Sequence, residues 1–205
     1  MSMSMRIFRN CPICNVASIS PYGNNLRCSK CGEIFKFDGR YGVWRNNSIL
    51  DISYPDPESS VLSPLFPIKF TMETINGVKT FASMEAFLLT LQWAGSNSIG
   101  IFDELASLSG MDASRAKNFL PDWRKTQKVT WNRKTIERNS EEYQKLLKLA
   151  FDSQFEQSHL FRLGLMKAKN KILMHTMAEC DPRKTLITQD EHIALLKRER
   201  SRLLA

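Results

Sequence analysis

The sequence predicts an α+β fold in which a mainly helical domain with a small β-hairpin follows a short N-terminal module. Two Cys-x-x-Cys pairs lie within the first 31 residues. Alternating apolar residues around an Asn-Gly pair then indicate two strands, and helical periodicity dominates after residue 83. Composition divides the chain into a module at 1–47, an Asn-, Pro- and Ser-rich linker at 48–60 and a larger domain at 61–205.

Composition favours a globular protein, with 42% apolar and 24% charged residues in a chain of 205. The longest apolar stretch, 87–93, contains Thr90 and Gln92 and is far shorter than a bilayer requires. The first residues lack the apolar core of a secretory signal. We therefore expect no membrane partner and an intracellular, cytoplasmic location, where cysteines stay reduced.

Positive charge is concentrated at the N-terminus. The net charge is +8, and residues 1–50 contain seven Lys or Arg against two acidic residues, whereas the rest of the chain contains 22 against 19. A basic module of this kind attracts polyanions, although a positive surface is also a common solubility feature.

The spacing of four cysteines predicts a metal site. Cys11 and Cys14 form one Cys-x-x-Cys pair, and Cys28 and Cys31 form a second after thirteen intervening residues. Two such knuckles supply the tetrahedral set of four thiolates that zinc prefers, and four thiolates leave no open position for water. We expect one structural zinc ion, with Gly32 allowing the chain to turn around it; two disulfides are the alternative.

Cations and aromatic residues surround this predicted zinc module. Their mixture suits contact with phosphates together with stacking on bases, although the aromatic residues could instead be the small core of the module. A strand predicted at 33–38, ending at Gly39, is consistent with a zinc-ribbon-like fold. The residues concerned are Arg6, Phe8, Arg9, Tyr22, Arg27, Lys30, Phe35, Lys36, Phe37, Arg40, Tyr41, Trp44 and Arg45.

The larger domain begins with a predicted hairpin, whose strands flank Asn76-Gly77. Helices are predicted from Ser83 onwards and over 99–108, 113–120 and 141–163, with a strand at 171–175. Ser140 is a candidate cap, and Thr188 opens a capping box at the last helix. The basic stretch 124–138 is interpreted as a solvated helical face, with phosphate binding as the alternative.

Three segments resemble the NADAR, or YbiA-like, family. They are Leu62-Ser63-Pro64-Leu65-Phe66-Pro67, the hairpin Ile75-Asn76-Gly77-Val78-Lys79-Thr80-Phe81, and Ser83-Met84-Glu85-Ala86-Phe87 at a helix start. The likeness extends over much of 61–205. It implies a mainly helical YbiA-like domain that cleaves the N-glycosidic bond of an ADP-ribosylated base or a related ribosylated nucleotide, including ADP-ribosyl-guanine in nucleic acid.

The resemblance also implies roles for individual residues. Glu85 is the catalytic candidate, because a carboxylate beside C1′ stabilises the positive charge that develops on ribose. The alternative is a structural role, in which Glu85 only complements the helix dipole. Ser83 would position Glu85 or bind ribose, and Phe66 and Trp131 would stack on a ring unless they belong to the core. The remaining candidates for substrate binding are Ser63, His175 and Asp181, of which the last two are also plausible structural residues.

The sequence departs from the family at several positions. Pro64, Ala86 and Gln92 stand where the family has Asn, His and Lys, and its terminal Asp-x-x-Trp-Gly is not found. Two functions therefore remain open, ahead of a purely structural adaptor. The first is an N-glycoside hydrolase that the zinc module recruits to nucleic acid, and the second is a catalytically inactive nucleotide- or nucleic-acid-binding protein.

Overall fold

The computed structural model of the protein describes residues 10–38, 40, 43–53, 55–93 and 99–205. Within these ranges seven α-helices pack with four small sheets, which confirms the α+β class. No helix in these ranges is long and apolar enough to cross a bilayer. Some residues singled out in the sequence fall outside the described ranges, namely Arg6, Phe8, Arg9, Gly39 and Tyr41.

A four-stranded antiparallel sheet forms the N-terminal module. Its strands, in sequence order, are β1 (Ile19–Tyr22), β2 (Asn25–Cys28), β3 (Ile34–Asp38) and β4 (Val43–Arg45). Strand β3 agrees with the strand predicted at 33–38. Phe35 and Trp44 are buried against Cys11 and Cys28, so these two aromatic residues belong to the module core and are not available to stack on bases.

The segment predicted as a linker is packed against the rest of the protein. It contains strand β5 (Ile49–Asp51), which pairs in parallel with β10 (Ile172–Met174). The buried carboxylate of Asp51 accepts hydrogen bonds from the amides of Trp44 and Thr176, at 2.9 and 3.0 Å. Strand β10 also packs on the module core. The module thus shares its core with the larger domain, while the exact domain limits stay a prediction.

The predicted Asn-Gly hairpin is confirmed. Strands β6 (Phe70–Thr74) and β7 (Gly77–Phe81) pair antiparallel, and Gly77 has a φ of +92°, which side chains with a Cβ rarely adopt. Helix α1 (Met84–Gln92) follows, and the hydroxyl of Ser83 accepts a hydrogen bond from the amide of Ala86 as its N-cap. The hairpin and the cap together fix the first turn of α1.

A second hairpin replaces the helical face predicted for the basic stretch 124–138. Only a short helix, α4 (Trp123–Thr126), forms there, followed by the antiparallel strands β8 (Lys128–Trp131) and β9 (Lys134–Glu137). Asn132 and Arg133 between the strands have φ of 50° and 65°. Two left-handed residues give a turn whose twist matches that of the strands, and the usual Asn-Gly signal for it is missing from the sequence.

The other helices lie close to their predicted positions, with one break. They are α2 (Ile99–Ser107), α3 (Gly110–Ala116), α5 (Glu141–Gln157), α6 (His159–Lys167) and α7 (Gln189–Leu204), with 3₁₀ turns at Ser60–Leu62 and Lys117–Phe119. The helix predicted over 141–163 is divided at Ser158, whose hydroxyl caps α6. The predicted caps of α5 and α7, Ser140 and Thr188, are confirmed.

Candidate functional site

The four cysteines of the module form a compact cluster. Their sulfur atoms all lie within 4.8 Å of one another, with Sγ–Sγ distances of 3.7 Å for Cys11 and Cys31 and 3.6 Å for Cys14 and Cys28. A disulfide needs about 2.05 Å, whereas thiolates about 2.3 Å from one tetrahedral zinc ion lie roughly 3.8 Å apart. These four side chains could therefore hold one metal ion.

The two knuckles have the same backbone geometry. The carbonyl of Cys11 accepts a hydrogen bond from the amide of Asn15 at 2.8 Å, and that of Cys28 accepts one from Gly32 at 2.9 Å. Asn15 and Gly32, each directly after the second cysteine of its pair, have φ of 54° and 80°. Each loop therefore turns back in the same way and presents its two thiols to the other loop.

A serine lies beside this cluster. The hydroxyl of Ser18 is 2.9 Å from the Sγ of Cys28. By donating to the thiolate it lowers the pKa of Cys28 to about 6, with help from the amide of Cys31. A thiol that is already ionised at neutral pH binds a cation without first losing its proton.

A large open groove of about 800 Å³ runs between the module and the larger domain. Its charged lining residues are Glu33, Lys36, Arg45, Glu58 and Lys171. Arg45 forms ion pairs with Asp38, Asp56 and Glu58. Because positive and negative side chains are nearly balanced in this groove, its charge does not select a polyanion.

A second, smaller cleft contains Glu85. The cleft encloses about 80 Å³, and its walls come from α1, the 3₁₀ turn after α3, helix α4 and the segment that precedes α7. Besides Glu85, the lining residues are Leu88, Gln92, Lys117, Trp123, Arg124, Lys184, Thr185, Leu186 and Ile187. Three cations thus surround one carboxylate.

The carboxylate of Glu85 is held without a partner. Among the described residues it makes neither a hydrogen bond nor an ion pair. Burial raises the pKa of the Glu85 carboxyl above its ordinary value, and the positive charge of Lys117 offsets part of that rise. Partly buried carboxylates with a raised pKa and no hydrogen-bond partner in the protein cluster at functional sites.

A buried ion pair supports the wall of the cleft. Arg138, which follows β9 and is fully buried, makes a bidentate pair with Glu191 of α7, at 2.9 and 2.6 Å, and its Nε donates to the carbonyl of Thr185 at 3.0 Å. Its guanidinium lies 4.7 Å from the ring centre of Tyr143, whose hydroxyl donates to the carbonyl of Leu186. This network joins the second hairpin and α7 to two residues of the cleft.

Breaking this pair should destabilise the protein strongly. We expect Arg138→Met to lower the free energy of unfolding by about 3–5 kcal/mol, since it removes the cation paired with Glu191 and the donor to the Thr185 carbonyl. The matched control is Lys128→Met on the same hairpin, whose pair with Glu137 is exposed and contributes about 0–1 kcal/mol. Equal urea denaturation midpoints for the two variants would contradict the assigned role of Arg138.

The first three predicted substrate-binding residues lie outside the lining of the cleft. Ser83 is fully buried, and its hydroxyl serves as the cap of α1 while donating to the carbonyl of Leu108. Ser63 is buried, and Phe66 packs against the main core. The adjacent backbone does support the site, because the carbonyl of Pro64 accepts a hydrogen bond from the amide of Glu85 at 2.8 Å.

The other three predicted residues are also engaged elsewhere. The ring of Trp131 packs on Phe87 at 5.5 Å between centroids, as a partly buried part of the core. His175 lies 2.9 Å from His192, measured between their Nδ1 atoms, and burial lowers the pKa of His175 to about 4. Asp181 pairs with Arg183 at 3.1 Å. Of the seven predicted catalytic and substrate-binding residues, the cleft is thus lined by Glu85 alone, and the roles of the other six stay predictions.

Several residues of the cleft are not predicted as site residues from the sequence. Arg124 belongs to the basic stretch 124–138, which is interpreted from the sequence as a solvated helical face with phosphate binding as the alternative, whereas Lys117 and Lys184 lie in segments with no motif at all. In the sequence, Gln92 stands out only as a departure from the family pattern. It lines the cleft on the same face of α1 as Glu85, about two turns further along the helix. Only folding brings these distant segments together.

Comparison with known proteins gives one family. The family described as Bacteriophage protein GP30.3 matches residues 57–201, which is more than two thirds of the chain and excludes the four cysteines. No curated protein and no solved structure matches. The matched segment contains Glu85 and every other residue that lines its cleft. On this match the chain belongs to the Bacteriophage protein GP30.3 family.

Proposed function

We propose that the protein is an N-glycoside hydrolase that acts on an ADP-ribosylated base or a related ribosylated nucleotide. The observation that carries the proposal is the carboxylate of Glu85, which has no partner among the described residues and lies in a cleft lined by three cations. The cations attract an anionic nucleotide, and the carboxylate remains available for its ribose. The resemblance to the NADAR family points to the same chemistry and stays a prediction.

In the proposed reaction Glu85 acts on the ribose carbon. As the bond from C1′ to the base nitrogen breaks, its electron pair leaves with the nitrogen and positive charge develops on C1′ and the ring oxygen. The ionised carboxylate stabilises this charge and accepts a proton from the water that attacks C1′, while the released nitrogen takes a proton from solvent. The products are a ribose with a hydroxyl at C1′ and an unmodified base, which stays in the strand when the substrate is nucleic acid.

The size of the cleft bears on the substrate. Its 80 Å³ is much smaller than the roughly 300–1,000 Å³ of pockets that enclose a whole small molecule. Only the reacting end of the substrate would enter, and the remainder would lie outside. This favours a ribosyl group presented by a larger carrier, such as a base within nucleic acid.

We propose further that the four cysteines bind one zinc ion with a purely structural role. Four thiolates and no carboxylate or imidazole form the cluster, and such a soft donor set selects zinc among the common divalent ions. The small sheet of the module has few other sources of stability, because its core is short and shared with β5 and β10. Binding of the ion would supply much of its folding free energy.

The zinc module is also proposed to contact nucleic acid. Arg27, Lys30 and Lys36 are exposed on it, and the guanidinium of Arg27 lies 5.4 Å from the ring centre of Tyr22, which is half exposed. An exposed aromatic ring with a cation beside a phosphate-attracting surface is typical of proteins that bind single strands.

The alternative is a catalytically inactive nucleotide- or nucleic-acid-binding protein. It is favoured by the departures at Ala86 and Gln92, the second of which lies in the cleft itself. To separate the two, purified protein is incubated with ADP-ribosylated DNA, ADP-ribosylated RNA and free ribosylated bases, and the products are followed by mass spectrometry. Release of ADP-ribose from the modified nucleic acids, or of the base from a free ribosylated base, supports the hydrolase; tight binding of all three without release supports the inactive alternative.

Activity should depend on pH through Glu85. Since the ionised carboxylate is the reactive form and burial raises its pKa, kcat/KM should fall as the pH decreases through a value above the ordinary glutamate pKa of about 4.3. Lys117→Met removes the positive charge that lowers this pKa, so the acidic limb of the profile should move to higher pH. Lys125→Met, an exposed lysine outside the cleft, is the control. An acidic limb that Lys117→Met leaves in place would contradict the assignment.

A further inference from the structure

Residues 183–187, called the strap, cross one side of the Glu85 cleft and are held by an unusual set of hydrogen bonds. Four successive carbonyls of the strap each accept from a side chain of the segment 124–143. Gln127 donates to the carbonyl of Arg183 at 3.1 Å, and Arg124 donates to that of Lys184 at 3.2 Å. Arg138 donates to the carbonyl of Thr185 at 3.0 Å, and Tyr143 donates to that of Leu186 at 2.5 Å. The backbone of the strap is therefore fixed although it has no regular secondary structure.

The amides of the strap are not satisfied in the same way. Those of Thr185 and Leu186 have no hydrogen-bond acceptor among the residues that the structure describes, and both residues line the cleft. Leu186 is 5% exposed. Thr185 is partly buried. Because the amides of buried segments are usually paired in folded proteins, two consecutive unpaired amides at the wall of a cleft are available to an acceptor from outside the chain.

The charges at this end of the cleft indicate which acceptor it is. Arg124 and Lys184 line the cleft. Each also has a carboxylate nearby, Asp122 at 3.5 Å from Arg124 and Asp181 at 4.0 Å from Lys184, and both cationic side chains are more than half exposed. Two adjacent amides combined with cationic side chains form the kind of concave site that binds phosphate. The enclosed 80 Å³ takes up one small group such as a phosphate but not a whole nucleoside.

We propose that the strap binds one phosphate group, through the amides of Thr185 and Leu186 and the side chains of Arg124 and Lys184. In the context of the proposed hydrolase, on which this substrate assignment rests, the phosphate is the one attached to the ribose that Glu85 attacks. The strap then sets the distance between phosphate and carboxylate, because its four carbonyl contacts prevent it from shifting. Specificity for phosphorylated over unphosphorylated ribosides follows.

The test uses inorganic phosphate and the full-length, ¹⁵N-labelled protein. On titration, the amide resonances of Thr185 and Leu186 should shift downfield and saturate, as amides do when they donate to an anion. Lys184→Ala should weaken phosphate binding on the order of tenfold, as expected for loss of one charge-assisted contact. Lys125→Ala, which removes an exposed cation of α4 outside the cleft, should leave the affinity unchanged.

The outcomes separate this site from the proposed function. Saturable shifts of the two amides with selective weakening by Lys184→Ala support the phosphate site even if no glycoside is hydrolysed, in which case only the hydrolase proposal fails. Hydrolysis of a ribosylated base without shifts at Thr185 and Leu186 overturns the phosphate site alone. Equal weakening by Lys184→Ala and Lys125→Ala also overturns it, since the binding would then reflect only net charge. A titration with a short unmodified oligonucleotide reveals whether a phosphodiester occupies the same amides.

Discussion

Replacing Glu85 with Gln is expected to reduce turnover of the substrate by about 10²–10³, with binding largely retained. The amide keeps the volume and hydrogen-bonding capacity of the side chain, so the cleft stays intact. It lacks the negative charge that would stabilise the cationic transition state and the basicity that would accept a proton from water. Kinetics on the best substrate found among ribosylated nucleic acids and bases measures the effect.

The same substitution should make the protein more stable at neutral pH. The folded state raises the pKa of Glu85, so it binds a proton more tightly than the unfolded chain does. Stability is therefore lost as the pH rises from the unfolded pKa of about 4.3 through the folded value, and Glu85→Gln escapes this loss. The Tm difference should be largest near pH 7 and should vanish below about pH 4.

The matched control is Glu104→Gln, which alters an exposed glutamate of α2 that lies outside the cleft. It should change neither turnover nor Tm. A Glu85→Gln protein with normal hydrolysis would show that the catalytic carboxylate is misassigned. A Glu85→Gln protein that is less stable at pH 7 would show that the carboxylate has a structural partner.

Loss of one cysteine ligand is expected to release the metal and unfold the module. The purified protein should contain one zinc ion per chain, and Cys11→Ser or Cys28→Ser should abolish it, since apparent zinc-binding free energies of small modules are on the order of 10–16 kcal/mol. From the sequence alone, a flexible linker would have confined the damage to the first fifty residues. The structure changes this expectation, because the module core contains Ile49 and Met174 of the β5–β10 pair. The Tm of the whole protein should therefore fall.

Metal analysis and thermal unfolding test this prediction. Cys180→Ser is the control, because Cys180 is the fifth cysteine, is exposed and lies outside the cluster. It should leave zinc content and Tm unchanged. Zinc-free protein with a fully folded module, or a Cys28→Ser variant with an unchanged Tm, would contradict the structural role of the ion.

Local signals in the sequence were sufficient for the features that depend on neighbouring residues. Ser83, Ser140 and Thr188 cap helices because each hydroxyl reaches an amide three positions ahead. The Asn-Gly hairpin follows from the left-handed conformation that Gly77 adopts without strain. The cysteine pairs indicate a four-sulfur cluster because each Cys-x-x-Cys spacing forms one tight loop that presents two thiols on the same side.

Where local signals were weak or absent, the predictions differed from the structure. The turn at Asn132 and Arg133 uses left-handed residues without glycine, so the sequence predicts a helical face where the second hairpin forms. The break at Ser158 interrupts an apolar pattern that continues on both sides of it, which made α5 and α6 look like one helix. In both cases tertiary packing stabilises a backbone conformation that the local sequence permits but does not require.

The sequence by itself determined the α+β class, the cysteine cluster and the position of Glu85 in the first turn of a helix. Only the tertiary structure decided that β5 and β10 join the module to the larger domain, and that Lys117, Arg124 and Lys184 surround Glu85. The physical reason is the separation along the sequence of the residues that must come into contact. Caps, turns and knuckles are fixed by contacts between residues a few positions apart, whereas a cleft is built from segments whose proximity depends on how every helix packs.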